Sequence, residues 1–306
     1  MSKAQQRIAV ILNASAGTGC TQEIADRVTQ HFREHQREVC MTLAPSGEEI
    51  IDAAKRAVRE GYAIVVAGGG DGTVSAVASE LVGSGIALGL LPLGTLNHLA
   101  KDLHIPLELA DAVRVIADGH AVQIDTGEVN GRIFVNNSSI GLYPDTVRHR
   151  ERQQKLRGRG KWPALFIAAM GALRRYPFLN VTLDIDQQKV ERRTPFVFIG
   201  NNEYLMEGFN IGARERLDRG RLSLYFVQRT SRLGLLILAL RALVGRLRQA
   251  KDFDALSAQT IRIETRHERM RVSTDGEVNM MTTPLHYRIR PASLHVIVPA
   301  GEQKPG

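Results

Sequence analysis

The sequence predicts an α/β fold in two domains: an N-terminal domain on a parallel sheet, then a second, mainly antiparallel β-sandwich domain. Three observations carry this. The first 120 residues alternate short apolar runs with amphipathic helical patterns, as parallel strands flanked by helices require. After about Gln123 strand-like runs follow one another with few helices between them, as in an antiparallel sheet. And 306 residues are more than one core of ordinary size holds.

In order, residues 7–12, 39–43, 62–67 and 86–91 read as buried strands, being aliphatic or β-branched and bounded by Gly or Pro. Residues 21–38, 46–60 and 73–82 read as the intervening helices. Ser46 followed by Glu49 has the spacing of a capping box at the start of the second. Beyond them, 123–129, 133–136, 180–186, 195–200, 221–228, 259–265 and 270–273 read as strands, with helices at 162–176 and 231–249. Residues 293–298 form a last strand able to return to the first sheet. The expected division is 1–124 plus 291–306 for the first domain and 125–290 for the second.

Composition narrows the function classes. Hydrophobic residues at 43% and charged residues at 24% exclude a disordered or fibrous chain. No apolar run exceeds seven residues, and that at 235–240 has six, far shorter than the ~20 residues of a membrane span. The N-terminus lacks the apolar segment of a signal peptide, and Cys20 and Cys40 have no metal-type spacing, which together suggest a reducing cytoplasm. The net charge of +8 is concentrated. Residues 148–161 and 229–251 hold 13 basic residues and one acid, leaving 27 basic and 31 acidic elsewhere. Two basic segments on a mildly acidic body point to an anionic partner.

Three expected strand ends carry unusual loops: Asn13-Ala14-Ser15-Ala16-Gly17-Thr18-Gly19, Gly68-Gly69-Gly70-Asp71-Gly72-Thr73 directly before a helix, and Pro92-Leu93-Gly94-Thr95-Leu96-Asn97. In an open parallel sheet ligands bind beyond the carboxyl ends of the strands. Glycines let the backbone approach a ligand, and helix N-termini offer N–H groups to phosphate oxygens. No lysine follows these glycines as a P-loop needs, and Gln22 stands where a dinucleotide fingerprint needs its third glycine. Asp71, read as a loop residue, would repel phosphate unless Mg²⁺ bridges them or the carboxylate handles a proton.

Gly69-Gly70-Asp71-Gly72-Thr73 resembles the signature shared by diacylglycerol and sphingosine kinases, NAD kinase and 6-phosphofructokinase. The segment 91–103 resembles the lipid-kinase P-x-G-T-x-N-D-F-A-R stretch. Phe134-Val135-Asn136 through Gly141, Gly200-Asn201, Leu217-Asp218-Arg219-Gly220 and Thr274-Asp275-Gly276-Glu277 follow in that family's order. The resemblance implies an ATP- and Mg²⁺-dependent lipid kinase with the lipid entering a cleft between the domains. It assigns Asn13, Thr42, Gly69, Gly70, Asp71, Gly72, Thr73, Gly94, Thr95 and Asn97 to ATP, and Asp71 and Asp125 to the metal or its network. Asp71 is expected to act in catalysis through Mg²⁺. Asp275 and Glu277 are expected at the reacting lipid hydroxyl, one of them as general base.

Departures are His98, Leu99 and Lys101 for Asp, Phe and Arg in the second motif, the alanines at 14 and 16, and Arg219 for the second aspartate of L-D-D-G. With Arg219 there, a structural metal held by that aspartate is not expected. Residues 231–251 carry an apolar stripe bracketed by arginines, as suits a helix lying on anionic lipid at the inner face of the membrane. The expected partners are a membrane lipid and an anionic membrane surface, with a homodimer left open. Three rivals are a soluble-substrate kinase of NAD-kinase type, a non-catalytic nucleotide-binding regulator, and nucleic-acid binding. The last has no recognisable reader fold, and the basic stretches lack interleaved aromatics.

Overall fold

The computed structural model describes residues 7–15, 21–141, 179–186, 188–204, 213–227 and 253–300. The helices expected at 162–176 and 231–249 lie outside these residues, as do 148–161 and the whole of 229–251. In chain order the elements are β1 (Ile8–Asn13), α1 (Gln22–Glu34), β2 (Val39–Ala44), α2 (Gly47–Arg59), β3 (Ile64–Gly69), α3 (Asp71–Leu81), β4 (Ala87–Pro92), α4 (His98–Asp102) and α5 (Leu109–Asp118). There follow β5 (His120–Val129), β6 (Arg132–Phe134), β7 (Asn137–Gly141), β8 (Leu179–Ile185), β9 (Gln188–Thr194), β10 (Phe196–Asn201), β11 (Leu222–Val227), β12 (Phe253–Ala258), β13 (Thr260–Thr265), β14 (Arg269–Thr274), β15 (Glu277–Thr282) and β16 (Leu285–Val298). The chain forms two compact units: 1–126 with 216–220 and 290–306, and 127–215 with 221–289. The borders differ from the expected ones by a residue or two, and 216–220 joins the first unit.

In the first unit β2, β1, β3, β4 and the end of β16 lie side by side in that order, all parallel. The chain goes from β1 outward to β2, then crosses to β3 on the other side of β1. The topological switch point therefore lies between β1 and β3. Right-handed crossovers put α1 and α2 on opposite faces. In agreement, α1 packs with α5, and α2 with α3. α2 starts where the capping box placed it: Ser46 Oγ accepts the Glu49 N–H at 3.2 Å. Its buried stripe is Ile50, Ala53, Ala54 and Ala57, spaced at helical intervals. Every residue of β3 is buried, as in a sheet covered on both faces.

The second unit is a sandwich. One sheet runs β12–β11–β10–β7–β14–β15, with every neighbouring pair antiparallel. The other contains the first part of β16 with β13, β8 and β9. Between them lies a core that includes Phe134, Ile140, Leu183, Ile199, Phe226, Ile263, Val272 and Tyr287. The sequence pattern does not mark β9, β12 and β15, and each ends a path of hydrogen-bonded strands. Edge strands bury less and carry charge, so their alternation is weak; β9 reads QKVERRT. β7, reading NSSIG, is central yet unmarked because its serines are buried polar residues. Helices α4 and α5 are likewise additional. β16 extends eight residues upstream of the expected 293–298 and does return to the first sheet, pairing His295 with Ala87.

Candidate active site

The strand ends of the first unit are level, because the register pairs Leu12 with Gly68 and Gly69 with Pro92. The described parts of all three expected loops thus leave one edge of the sheet; residues 16–19 of the first lie outside the described residues. They are tied together by side chains. Asn13 Nδ2 donates to Thr73 Oγ1 at 2.9 Å, bridging the end of β1 to the start of α3 across the switch point. Asn13 Oδ1 accepts the Ser15 N–H. Asp71 is not a loop residue: it opens α3, with Gly70 as N-cap. Its Oδ2 accepts the Asn97 N–H at 3.1 Å and its Oδ1 the His98 N–H at 2.7 Å, so it holds the third loop. Asn97 has φ 51° and is buried. Its Oδ1 accepts the Gly94 N–H, and its Nδ2 donates to the carbonyls of Pro92 and Gly94. Thr42 sits half-buried in β2 opposite Ile11, and Thr95 is exposed.

The glycines separate into two kinds. A Cβ on Gly94 would lie 2.4 Å from Gly70 Cα, and one on Gly69 would lie 2.5 Å from Thr73 Oγ1. These positions are glycine because protein packs against them. Among the described residues, a Cβ on Gly72 would meet nothing within 4 Å. Gly72 lies in the first turn of α3, where Ala is favoured by about 1 kcal/mol, so no atom of the described residues accounts for a glycine there. That turn also leaves N–H groups without intrahelical partners.

Asp125, 2% exposed, ties the chain of the first unit together. Its N–H donates to the Leu217 carbonyl at 2.7 Å. Its Oδ2 accepts the Gly220 N–H at 2.6 Å and its Oδ1 the Ala292 N–H at 2.9 Å. Residues 216–220 belong to this unit for that reason. Within them the Arg216 guanidinium grips Asp218 with two hydrogen bonds of 2.9 and 3.1 Å, and the carboxylate holds that guanidinium above its ordinary pKa. Among the described residues no three His, Cys, Asp or Glu cluster as a ready-made metal site.

In the second unit Asp275 and Gly276, with φ of 48° and 88°, form the two-residue turn between β14 and β15. The Asp275 carboxylate reaches away from it. Oδ2 accepts the Val135 N–H at 2.8 Å, and Oδ1 accepts those of Asn136 and Asn137 at 2.8 and 3.0 Å. Glu277, half-exposed, pairs with Arg132, whose Nε donates to Thr274 Oγ1 at 3.1 Å. Sequence reasoning did not find Arg132 or Arg214. Buried Arg214 donates to the Val135 carbonyl at 2.7 Å and to Asn136 Oδ1 at 2.7 Å, and the Tyr204 hydroxyl donates to the Asn136 carbonyl. Residues 135–137 are thus held by Asp275 on their N–H groups and by Arg214 and Tyr204 on their carbonyls. Arg214, one of two arginines in GARERL, carries no sequence signal of this.

Glycine-bearing loops at a switch point, followed in the same chain by a β-sandwich with a carboxylate turn, define a two-domain class that the comparisons narrow. Residues 7–129 match the family model described as the diacylglycerol kinase catalytic domain, and residues 140–298 the one described as a YegS C-terminal NAD kinase beta sandwich-like domain. A diacylglycerol kinase of Staphylococcus carnosus is 26% identical over 234 residues, 74% of either chain. One of Staphylococcus aureus is 29% identical over 200 residues, 62% of this chain and 61% of that one. A crystal structure of a diacylglycerol kinase from Bacillus anthracis covers 96% of this chain and 97% of its own, at 20% identity and a TM-score of 0.71, and shares the fold. The chain belongs to the diacylglycerol-kinase catalytic-domain family of lipid kinases.

Proposed function

We propose that this protein transfers the γ-phosphoryl group of ATP to the hydroxyl of a diacylglycerol-like membrane lipid. The observation that carries the reading is Gly72: an open glycine at the start of α3, beside cross-linked loops at a switch point, is where a phosphate needs room and N–H donors. Asn13 and Asn97 fix the loops around that turn, and Thr73 is oriented by Asn13.

Each Asp71 oxygen takes one backbone N–H, and a carboxylate oxygen has room for a further donor or a cation. Mg²⁺ needs only one or two carboxylates, the rest of its shell being phosphate and water, so Asp71 fits it. Bound there, Mg²⁺ would supply neutralisation of phosphate charge. Asp125 fits the fixing of residues 217–220 better than a ligand role. At the lipid hydroxyl, Asp275 shapes the turn while Glu277, the more exposed carboxylate, takes the proton. The basic segments 148–161 and 229–251 bring the enzyme reversibly to the anionic inner face of the membrane. Among the described residues no helix is long and apolar enough to cross it.

The test is transfer from radiolabelled ATP to a panel of lipids in mixed micelles, with NAD and lipid-free controls and vesicle co-sedimentation in parallel. Label in the lipid phase is expected, with binding to anionic vesicles that falls as salt shortens the Debye length. Label only in NADP, or lipid-independent hydrolysis alone, would remove the reading.

A further inference from the structure

Four large hydrophobic side chains are exposed among the described residues, and two of them flank α4: Leu96 at 49% and Leu107 at 51%. Single apolar side chains on a surface are ordinary, so their neighbourhood decides whether they mean anything. Leu96 lies in the third loop of the carboxyl edge, between Thr95 and the buried Asn97. The Asp71 carboxylate accepts the Asn97 and His98 N–H groups and so fixes the start of α4 at that edge. The far end of α4 is fixed as well. His104, with φ 53°, donates its N–H to the Lys101 carbonyl at 3.0 Å, and Ile105 donates to that of Ala100 at 2.8 Å. That pair of bonds is the Schellman close of a helix.

Leu99, Ala100 and Ile105 are buried beneath the helix. His98 and Lys101, three residues apart, share its exposed face, and His104 is exposed just beyond them. Asp102, the one acid between Leu96 and Leu107, is half-buried; the next acid, Glu108, is the N-cap of α5. The surface from Leu96 to Leu107 therefore offers two leucines and a basic strip, held at both ends beside the loops proposed to meet phosphate. Such a pairing suits the border between lipid headgroups and acyl chains, where apolar tips sink in and long basic side chains stay at headgroup level.

We propose that α4 and its flanking loops form the surface by which the first unit enters the lipid interface, with Leu96 and Leu107 inserting among acyl chains and Lys101 meeting anionic headgroups. This rests on the lipid-kinase reading. A diacylglycerol stays in the bilayer because its acyl chains are driven from water, so the edge that holds the phosphoryl donor has to come to the bilayer. Exposed leucines at that same edge provide the means. The basic segments 148–161 and 229–251 supply long-range attraction to an anionic membrane, whereas α4 sets which edge of the first unit touches it. An acidic protein partner would have use for Lys101 but none for two leucines set on either side of it.

Leu107→Trp reads insertion directly, against the background of the one native tryptophan. On vesicles of phosphatidylcholine and phosphatidylglycerol in equal parts, the emission of the introduced indole should shift to the blue and be quenched by bromine-labelled acyl chains. Co-sedimentation with the same vesicles should weaken by roughly 3- to 10-fold in Leu107→Ser and in Leu96→Ser. Lys101→Gln should lose roughly fivefold there and nothing on phosphatidylcholine alone. Turnover of a short-chain diacylglycerol dissolved as monomers should be unchanged in Leu107→Ser and Lys101→Gln, since neither residue lies in the glycine loops. An unquenched reporter on vesicle-bound protein, or leucine variants that bind as the wild type does, overturns the docking surface alone. A quenched reporter with no lipid phosphorylated would uphold the surface and overturn the kinase reading.

Discussion

At the carboxyl edge of the first unit, Asp71 takes two backbone N–H groups from residues 26 and 27 positions away; in the second unit, Asp275 takes three from residues 138 to 140 positions away. The surroundings differ. In the first unit the held loops already leave neighbouring parallel strands, and the carboxylate only fixes their spacing. In the second, the hairpin turn and the segment 135–137 come from distant parts of the chain, and Asp275 is part of what joins them. Both motif carboxylates therefore fix backbone segments in place. Glu277 differs from both: its bond is to an exposed arginine rather than to backbone, and its side chain is largely exposed.

The largest expected effect separates Glu277 from Asp275. Glu277→Gln should lower kcat by ~10²–10⁴-fold. Its unfolding free energy should move by less than about 1 kcal/mol, because the ion pair it loses is solvent-exposed. Asp275→Asn should lower both kcat and stability, the latter by roughly 1–3 kcal/mol, since a side-chain NH₂ would face a backbone N–H. Urea titrations beside single-turnover assays check the pair. Two variants with the same stability loss would erase the distinction.

Asp71→Asn comes next. Turnover should fall by roughly 100-fold or more, and stability should fall by about 1–2 kcal/mol because the 97–98 backbone loses an ionised acceptor. Activity within threefold of the wild type would show that Asp71 only holds the loop.

The two kinds of glycine should behave oppositely. Gly94→Ala forces the loops apart and should cost about 1–3 kcal/mol. Gly72→Ala should leave stability equal or up to about 1 kcal/mol higher, yet weaken nucleotide binding measured by calorimetry. Unchanged nucleotide affinity in Gly72→Ala would show that nothing approaches that turn.

The smallest effect concerns pH. Burial pushes the Tyr287 phenol above its ordinary pKa, with the Ser138 hydrogen bond opposing in part. Because the folded value is raised, the stability held by the neutral phenol is fully present below about pH 10 and is lost as the pH rises above it. Tyr287→Phe should be less stable at neutral pH by about 1 kcal/mol, having left Ser138 without its partner, and should decline less steeply above pH 10. Denaturant midpoints at both pH values measure it. Parallel declines would place the titrating group elsewhere.

Much was readable without the structure. Aliphatic runs and amphipathic intervals specify β1 to β4 and α1 to α3, because burial on both faces of a parallel sheet leaves a local pattern. The capping box fixes the start of α2, and the glycine loops mark the carboxyl edge of the sheet, where the candidate site lies. What tertiary structure decided is the work of each polar side chain. Asp71 opens a helix and binds a loop beyond it, Asp125 draws residues 216–220 into the first unit, and Arg214 and Asp275 hold 135–137 between them. Edge strands β9, β12 and β15 and the serine-rich β7 likewise owe their place to partners. Hydrophobic periodicity is written in neighbouring residues, whereas a hydrogen bond between a carboxylate and a backbone N–H 140 residues away exists only once the chain has folded.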